Sequence, residues 1–204
     1  LLRVHAHRLR DPRDQVAPLH LHLPLVADGA GLLGYWLERH PGPHVAVAHS
    51  MGGLITLEAL IEDRLDGVSA AVFSSPSLGF SVNVPPVKKF LAQVAHKAFP
   101  QLTLFNEVNH SILSRDEEML KHYERDTLRH SRISSSVFFG FLEGFERIPK
   151  EAHKVQIPIF FQLPGEDQLI STQASKEAFE KFPNPKNRME IYHDSFHEIY
   201  NDLD

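Results

Sequence analysis

Cysteine is absent from the sequence, which excludes disulfides and thiolate metal sites. No run of 18 or more apolar residues occurs, so no transmembrane helix is expected. Neither charge sign dominates: 21 lysines and arginines face 26 aspartates and glutamates, for a net charge of −5. That balance offers no basic stripe to hold nucleic acid. The 204 residues are 42% hydrophobic and 23% charged, ordinary values for one globular domain or one domain with an insertion.

Against these absences, one stretch is dense in signals: Pro43 to Ile61. Val45–Ala48 is a short apolar run, which predicts a strand buried on both faces. Met51–Glu62 switches to helical spacing, with Leu54, Leu57 and Ile61 on one side. Between them stands Ser50, flanked by His49 and Met51 and followed by Gly52 and Gly53. A strand, a tight turn with serine at its tip, and a helix make a nucleophile elbow, whose strained turn holds the hydroxyl above a sheet. Small residues two before and two after the serine, Ala48 and Gly52, are expected to prevent collision where strand and helix nearly touch. A Gly-rich loop leading into a helix is the bland alternative. The apolar strand before it and the amphipathic helix after it favour the elbow.

The start of the chain is less regular. Residues 1–28 hold His5, His7, His20 and His22 among arginines, prolines and leucines. No further ligands follow at metal-binding spacing, so a poorly packed or partly disordered lead-in without metal is expected. Gly31–His40 reads as an amphipathic helix stopped by Pro41-Gly42-Pro43.

Beyond the elbow, Val68–Phe73 reads as a second buried strand. Residues 76–150 then break the strand–helix rhythm, with helices expected over Pro85–Phe99, Glu117–Asp126 and Ser134–Phe145. Eight of the 14 phenylalanines fall in this stretch. Most of them are expected to form the insertion's own small core, while some of Phe80, Phe90, Phe138, Phe139 and Phe141 line an apolar channel over Ser50; pockets are mostly apolar, so both can hold together. The rhythm resumes with a strand at Ile157–Leu163, a turn at Pro164–Asp167, a helix capped by Thr172 and running to Phe182, and a last strand at Met189–Tyr192. Alternating strands and helices argue for a parallel sheet. Its sites form at the C-terminal strand ends, and Ser50, Asp167 and His197 all fall just past such ends.

A serine hydroxyl is a poor nucleophile until a base takes its proton, and a histidine base needs an acid to hold its tautomer. The chain order serine, acid, histidine is supplied by Ser50, Asp167 and His197. Glu166 adjoins Asp167, but neighbouring turn residues point different ways and only one can face the histidine. Asp194 follows the last strand and reads as a loop or capping residue. His193 competes with His197. His49 is too close to Ser50 along the chain to reach back easily, and is assigned to the pocket wall.

Several stretches carry a resemblance: Ala-His-Ser-Met-Gly-Gly at 48–53, Ser-Ser-Pro-Ser-Leu at 74–78, Leu-Ser-Arg-Asp at 113–116, Tyr-Glu-Arg-Asp-Thr-Leu at 123–128, Gln-Leu-Pro-Gly-Glu-Asp at 162–167 and Phe-His-Glu-Ile-Tyr-Asn-Asp at 196–202. On these, the chain from about Gly31 to Asp204 resembles the bacterial lysophospholipase and monoacylglycerol lipase branch of the α/β-hydrolases, also labelled serine aminopeptidase-like. The resemblance implies an α/β-hydrolase core over 1–75 and 151–204, with a helical cap inserted at 76–150 over an acyl pocket. It implies Ser50, Asp167 and His197 as the triad and the Met51 N–H as an oxyanion donor. It also implies a monoacyl lipid or other small ester as substrate, no cofactor, and peripheral membrane contact through the cap, in a cytoplasmic or membrane-peripheral setting.

The competing readings are a peptidase or small-ester esterase on the same fold, and a catalytically silent binding module. The family opens with strands and a His-Gly loop that gives a second oxyanion N–H, then an Arg-Gly-His-Gly motif, and it continues with a helix after the histidine. Residues 1–30 hold neither motif. The chain is therefore expected to be truncated at both ends, poorly soluble and weakly active alone.

Overall fold

The computed structural model of the protein describes residues 23–82, 85, 87, 90, 93, 94, 98, 102–105, 108–128 and 131–203. In chain order the elements are α1 (Leu23–Leu37), β1 (His44–His49), α2 (Met51–Ile61), β2 (Val68–Ser74), β3 (Thr103–Phe105), α3 (Glu117–Arg125), β4 (Arg132–Ser134), α4 (Ser135–Glu151), β5 (Ile159–Pro164), α5 (Thr172–Phe179) and β6 (Arg188–Tyr192). Strands β1, β2, β5 and β6 form one sheet in that order, parallel at every pairing. Strands β3 and β4 pair antiparallel inside the insertion. Among the described residues, no helix is long and apolar enough to cross a membrane.

The core lies between the two inner strands and helices α2 and α4. Leu54, Leu57 and Ile61, the expected apolar face of α2, are all buried, with Phe73, Ile159, Phe161, Leu163 and Ile148. Phe73 and Phe161 meet edge to face, with centroids 5.4 Å apart. A fully enclosed side chain such as Leu57 is worth about 2–5 kcal/mol against truncation to alanine. Helix α4 comes close to α2 at Gly144, where a Cβ would sit 2.9 Å from Leu54 Cδ1.

Several expectations are corrected. Strand β1 is not buried on both faces. It is the outer strand among the described residues, and Val45 and Val47 point to one open face at 59% and 66% exposure. Ala46 and Ala48 take the opposite face and pack against the core, as the period of two requires. Helix α1 begins well before Gly31, and its Val26 and Ala30 pack with Ala59, Leu65 and Val68. Residues 23–28 of the stretch expected as a lead-in are thus helical, and the rest of that stretch, including the four histidines, lies outside the described residues. The expected helix over Pro85–Phe99 falls largely outside them as well. Of it, Val87, Phe90, Gln93, Val94 and Ala98 are helical, and Phe90 is 62% exposed.

Two local chemical readings also change. Ser171, not Thr172, caps α5, its side chain accepting from the Ala174 N–H at 3.1 Å. The Thr172 hydroxyl donates instead to the Pro164 carbonyl at 2.6 Å. Helix α4 runs past the expected end at Phe145 to Glu151, with Pro149 inside it. Phe141, Phe145 and Ile148 of this helix belong to the main core. The inserted segment therefore merges with that core before residue 150.

Candidate active site

The sheet delivers Ser50 at the C-terminal end of β1. Its backbone is held at φ 51° and ψ −120°, in the left-handed region that a residue with a Cβ adopts at a cost. The strain is fixed by hydrogen bonds: the Ser50 N–H donates to the Ser74 carbonyl at 3.0 Å, and the Ser50 carbonyl accepts from Gly53 and Ser77 N–H groups, both at 3.0 Å. The crowding expected at Gly52 is found one residue later. A Cβ on Gly52 would meet nothing within 4 Å, whereas one on Gly53 would lie 3.0 Å from Pro76 Cβ. The helix presses on the Ser75-Pro76 turn after β2 rather than back on its own strand.

Asp167 and His197 reach Ser50 from the ends of β5 and β6. Asp167 Oδ1 accepts from the Leu169 and Ile170 N–H groups, each at 2.9 Å. Its Oδ2 lies 2.8 Å from His197 Nδ1. On the other side of the ring, His197 Nε2 is 2.9 Å from Ser50 Oγ. Because the carboxylate only accepts, Nδ1 carries the proton and Nε2 presents a lone pair to the serine hydroxyl. The His197 and Asp167 side chains are 2% and 1% exposed, so water does not compete for the bond between them. Glu166, Asp194 and His193, the rivals along the chain, are all exposed.

The turn before the acid depends on glycine. A Cβ on Gly165 would lie 2.1 Å from the His193 carbonyl oxygen, and the Gly165 N–H donates to the Tyr192 carbonyl at 2.8 Å. The loops carrying Asp167 and His197 can therefore lie side by side. Met51 opens α2, so its N–H is among the first helix amides, which have no acceptor within the helix. It sits beside the serine, at the positive end of the helix.

A cavity of about 360 Å³ opens over Ser50 and His197. The inserted segment walls it with Val108, His110, Tyr123, Leu128 and Ser131, and the core contributes His49, Leu169 and Glu198. His49, expected in the pocket wall, is there. Phe80, Phe90, Phe138, Phe139 and Phe141, the other expected pocket residues, are not among the described lining. Phe80 instead packs against Phe138, Phe141 and Phe145, with centroids 4.9 to 5.9 Å apart. Aromatic edges and faces satisfy one another there, and the cluster ties α4 to the segment after β2.

Two acids that the sequence reading did not assign prove central. Glu198 Oε1 lies 3.2 Å from His49 Nε2, and the other ring nitrogen of His49 is 3.2 Å from Ser74 Oγ. Burial pushes the Glu198 carboxyl up, but the hydrogen bond and charge of His49, with His197 and Asn201, outweigh it and hold the group below its usual range. Asp202 accepts from the Phe196 N–H at 2.7 Å and from the Arg115 N–H at 2.8 Å. Both acids lie in the quoted stretch 196–202. Their roles depend on partners far away in sequence, which spacing alone does not reveal.

A parallel sheet with a serine at a strained strand–helix turn, and its acid and histidine at later strand ends, defines an α/β-hydrolase fold. Residues 24–204 match the family model described as serine aminopeptidase, S33, and the chain belongs to this family. It is similar to the phospholipase YtpA of Bacillus subtilis, 22% identical over 162 residues that cover 78% of this chain and 62% of the relative. Among solved structures it is similar to the monoacylglycerol lipase of Paleococcus ferrophilus, with a TM-score of 0.80 and 27% identity over 88% of this chain and 69% of that one. It is also similar to a soluble variant of the monoglyceride lipase of Saccharomyces cerevisiae solved with a substrate analogue, with a TM-score of 0.74 and 16% identity over 93% and 65% of the two chains. The chain thus spans about two thirds of the length of these relatives.

Proposed function

We infer that the protein is a carboxylic ester hydrolase that forms an acyl-enzyme on Ser50. The observation that carries this reading is His197 placed between Ser50 Oγ and Asp167, with each bond inside hydrogen-bonding distance. In this mechanism His197 Nε2 takes the Ser50 proton as Oγ bonds to the ester carbonyl carbon. The Met51 N–H meets the oxygen that becomes negative. The C–O bond to the alcohol then breaks, and His197 returns the proton to the leaving oxygen. Water repeats the sequence on the acyl-enzyme and frees the acid. Asp167 keeps the ring in the working tautomer throughout.

The substrate proposed is a monoacyl lipid, such as a lysophospholipid or a monoacylglycerol. The names of the similar phospholipase and lipases support that class. A second reading, a small-ester esterase, is favoured by the wall itself: His49, His110, Tyr123, Ser131 and Glu198 line the cavity, while Phe80 packs on Phe138, Phe141 and Phe145. The insertion acts as a cap in either case, because it supplies the wall facing Ser50. Hydrolysis of an ester series from acetyl to long acyl chains separates the two. A rate that climbs with chain length supports the lipid, and a rate that peaks at short chains supports the esterase. A fluorophosphonate that fails to label Ser50 would overturn both.

A further inference from the structure

We propose that the cavity over Ser50 is also a binding site for a divalent transition ion of the zinc or copper type, held by His49 Nε2, His197 Nε2 and the Glu198 carboxylate, and that the ion competes with Ser50 for His197. The three side chains come from two places, the end of β1 and the loop after β6. One donor atom from each lies within 4.8 Å of the others, and His49 Nε2 and Glu198 Oε1 are 3.2 Å apart. Donors about 2.0–2.2 Å from a tetrahedral ion stand roughly 3.3–3.6 Å from one another. Small side-chain rotations therefore close the set.

Support behind the ligands points the same way. A metal-bound histidine ordinarily gives its second ring nitrogen to an acceptor, which fixes the tautomer and aims the first. Both histidines have such a partner on Nδ1: Asp167 Oδ2 at 2.8 Å for His197, and Ser74 Oγ at 3.2 Å for His49. The Ser74 hydroxyl rotates to accept or donate. His49 can thus present either an N–H to Glu198 or a lone pair to an ion. Glu198 is steadied by Asn201 Nδ2 at 3.3 Å. Two imidazoles and one carboxylate, with a fourth position open to the cavity, suit zinc or copper(II) rather than magnesium or calcium.

The consequence is competition at one lone pair. His197 Nε2 can accept the Ser50 proton or bind the ion, but not both. The metal-bound form then has no base for the serine. Binding needs no ester hydrolysis, so the ion can be tested whether or not the proposed activity is found.

Zinc chloride is titrated into the full chain by calorimetry, beside His49→Ala, Glu198→Gln and a control, His153→Ala, whose ring lies on the surface against the Lys150 carbonyl. Fluorophosphonate labelling of Ser50 is followed with zinc, with magnesium, and after chelation. The expected result is one site whose affinity falls at least about tenfold in both site variants and not in the control. Zinc, but not magnesium, slows labelling, and chelation restores it. Equal zinc affinity in the wild type and both variants, or unchanged labelling with zinc saturating, would overturn the proposal. If either variant fails to melt cooperatively, Ser74→Ala takes its place. It removes only the support of His49 and is expected to weaken zinc by about 10- to 100-fold; no change would count against the site.

Discussion

Arg115 and Asp202 join the inserted segment to the loop that carries His197. The Arg115 N–H donates to Asp202 Oδ1 at 2.8 Å, and its Nε lies 3.2 Å from both carboxylate oxygens. The Asp202 side chain is fully buried, and it also holds the Phe196 N–H next to His197. Asp202→Ala removes this buried acceptor from the Phe196 and Arg115 main-chain donors and is expected to cost about 2 kcal/mol in denaturant unfolding. Ser50 labelling by a fluorophosphonate should slow with it. Arg115→Ala should cost less, because the main-chain donor survives and the arginine side chain is partly exposed.

Acid should act through the same residue. Burial pushes the Asp202 carboxyl up, but the N–H groups of Phe196, Arg115 and Leu203 and the Arg115 side chain outweigh it, and the group sits below the usual 3.8. A carboxyl depressed in the folded state binds fewer protons there than in the unfolded chain. Its stabilisation is complete above the unfolded value and is lost as pH falls through the folded one. Melts from pH 5 down to pH 2 should show a steeper loss in the wild type than in Asp202→Asn.

The glycines near the site separate by what surrounds them. Gly165→Ala forces a methyl onto the His193 carbonyl and should cost about 1–3 kcal/mol, with loss of Ser50 reactivity, because the turn holding Asp167 must move. Gly53→Ala meets Pro76 and should destabilise as well. Gly52→Ala meets nothing within 4 Å and lies in a helix, so it should be neutral or stabilising by up to about 1 kcal/mol. Unfolding midpoints of the three variants check the order.

The architecture was legible in the sequence where the signal is local and repeated. The apolar run before Ser50, the helical spacing of Leu54, Leu57 and Ile61, and the later strand–helix alternation all correspond to observed elements. Ser50, Asp167 and His197 could be chosen because chain order and strand ends restrict the candidates. What failed to read out depended on long-range packing. The phenylalanine count does not say whether rings face a cavity or one another. The openness of Val45 and Val47 depends on which strand lies outermost, and Glu198 takes its meaning from His49 across the site.

Buried Glu58 on α2 gives a stability effect of opposite sign. Burial is the main cause that lifts its carboxyl from 4.5 to about 7; the Arg147 charge opposes the shift, and Glu62, Glu143 and Glu151 add to it. The folded chain holds that proton to a higher pH than the unfolded chain, so stability falls as pH rises from 4.5 to about 7. The full effect is of order 3 kcal/mol. Glu58→Gln should flatten this part of the stability–pH curve. An unchanged slope would show that Glu58 ionises freely.

Phe138→Ala should lower stability by about 2–4 kcal/mol through the lost aromatic packing while leaving acyl-chain preference unchanged, because the ring faces Phe80. Tyr123→Ala opens the cavity wall and should shift that preference. Relative rates on the ester series, beside unfolding midpoints, check both.

The central claim is that His197, oriented by Asp167, activates Ser50. The rate of fluorophosphonate labelling of Ser50, measured for wild type, Asp167→Asn, Glu166→Gln and Asp194→Asn, tests it most directly. The account predicts a fall of roughly three to four orders of magnitude for Asp167→Asn alone, because the amide no longer fixes the working tautomer. Glu166→Gln and Asp194→Asn should label like the wild type. Undiminished labelling in Asp167→Asn, or a comparable loss in either of the other two, would contradict it.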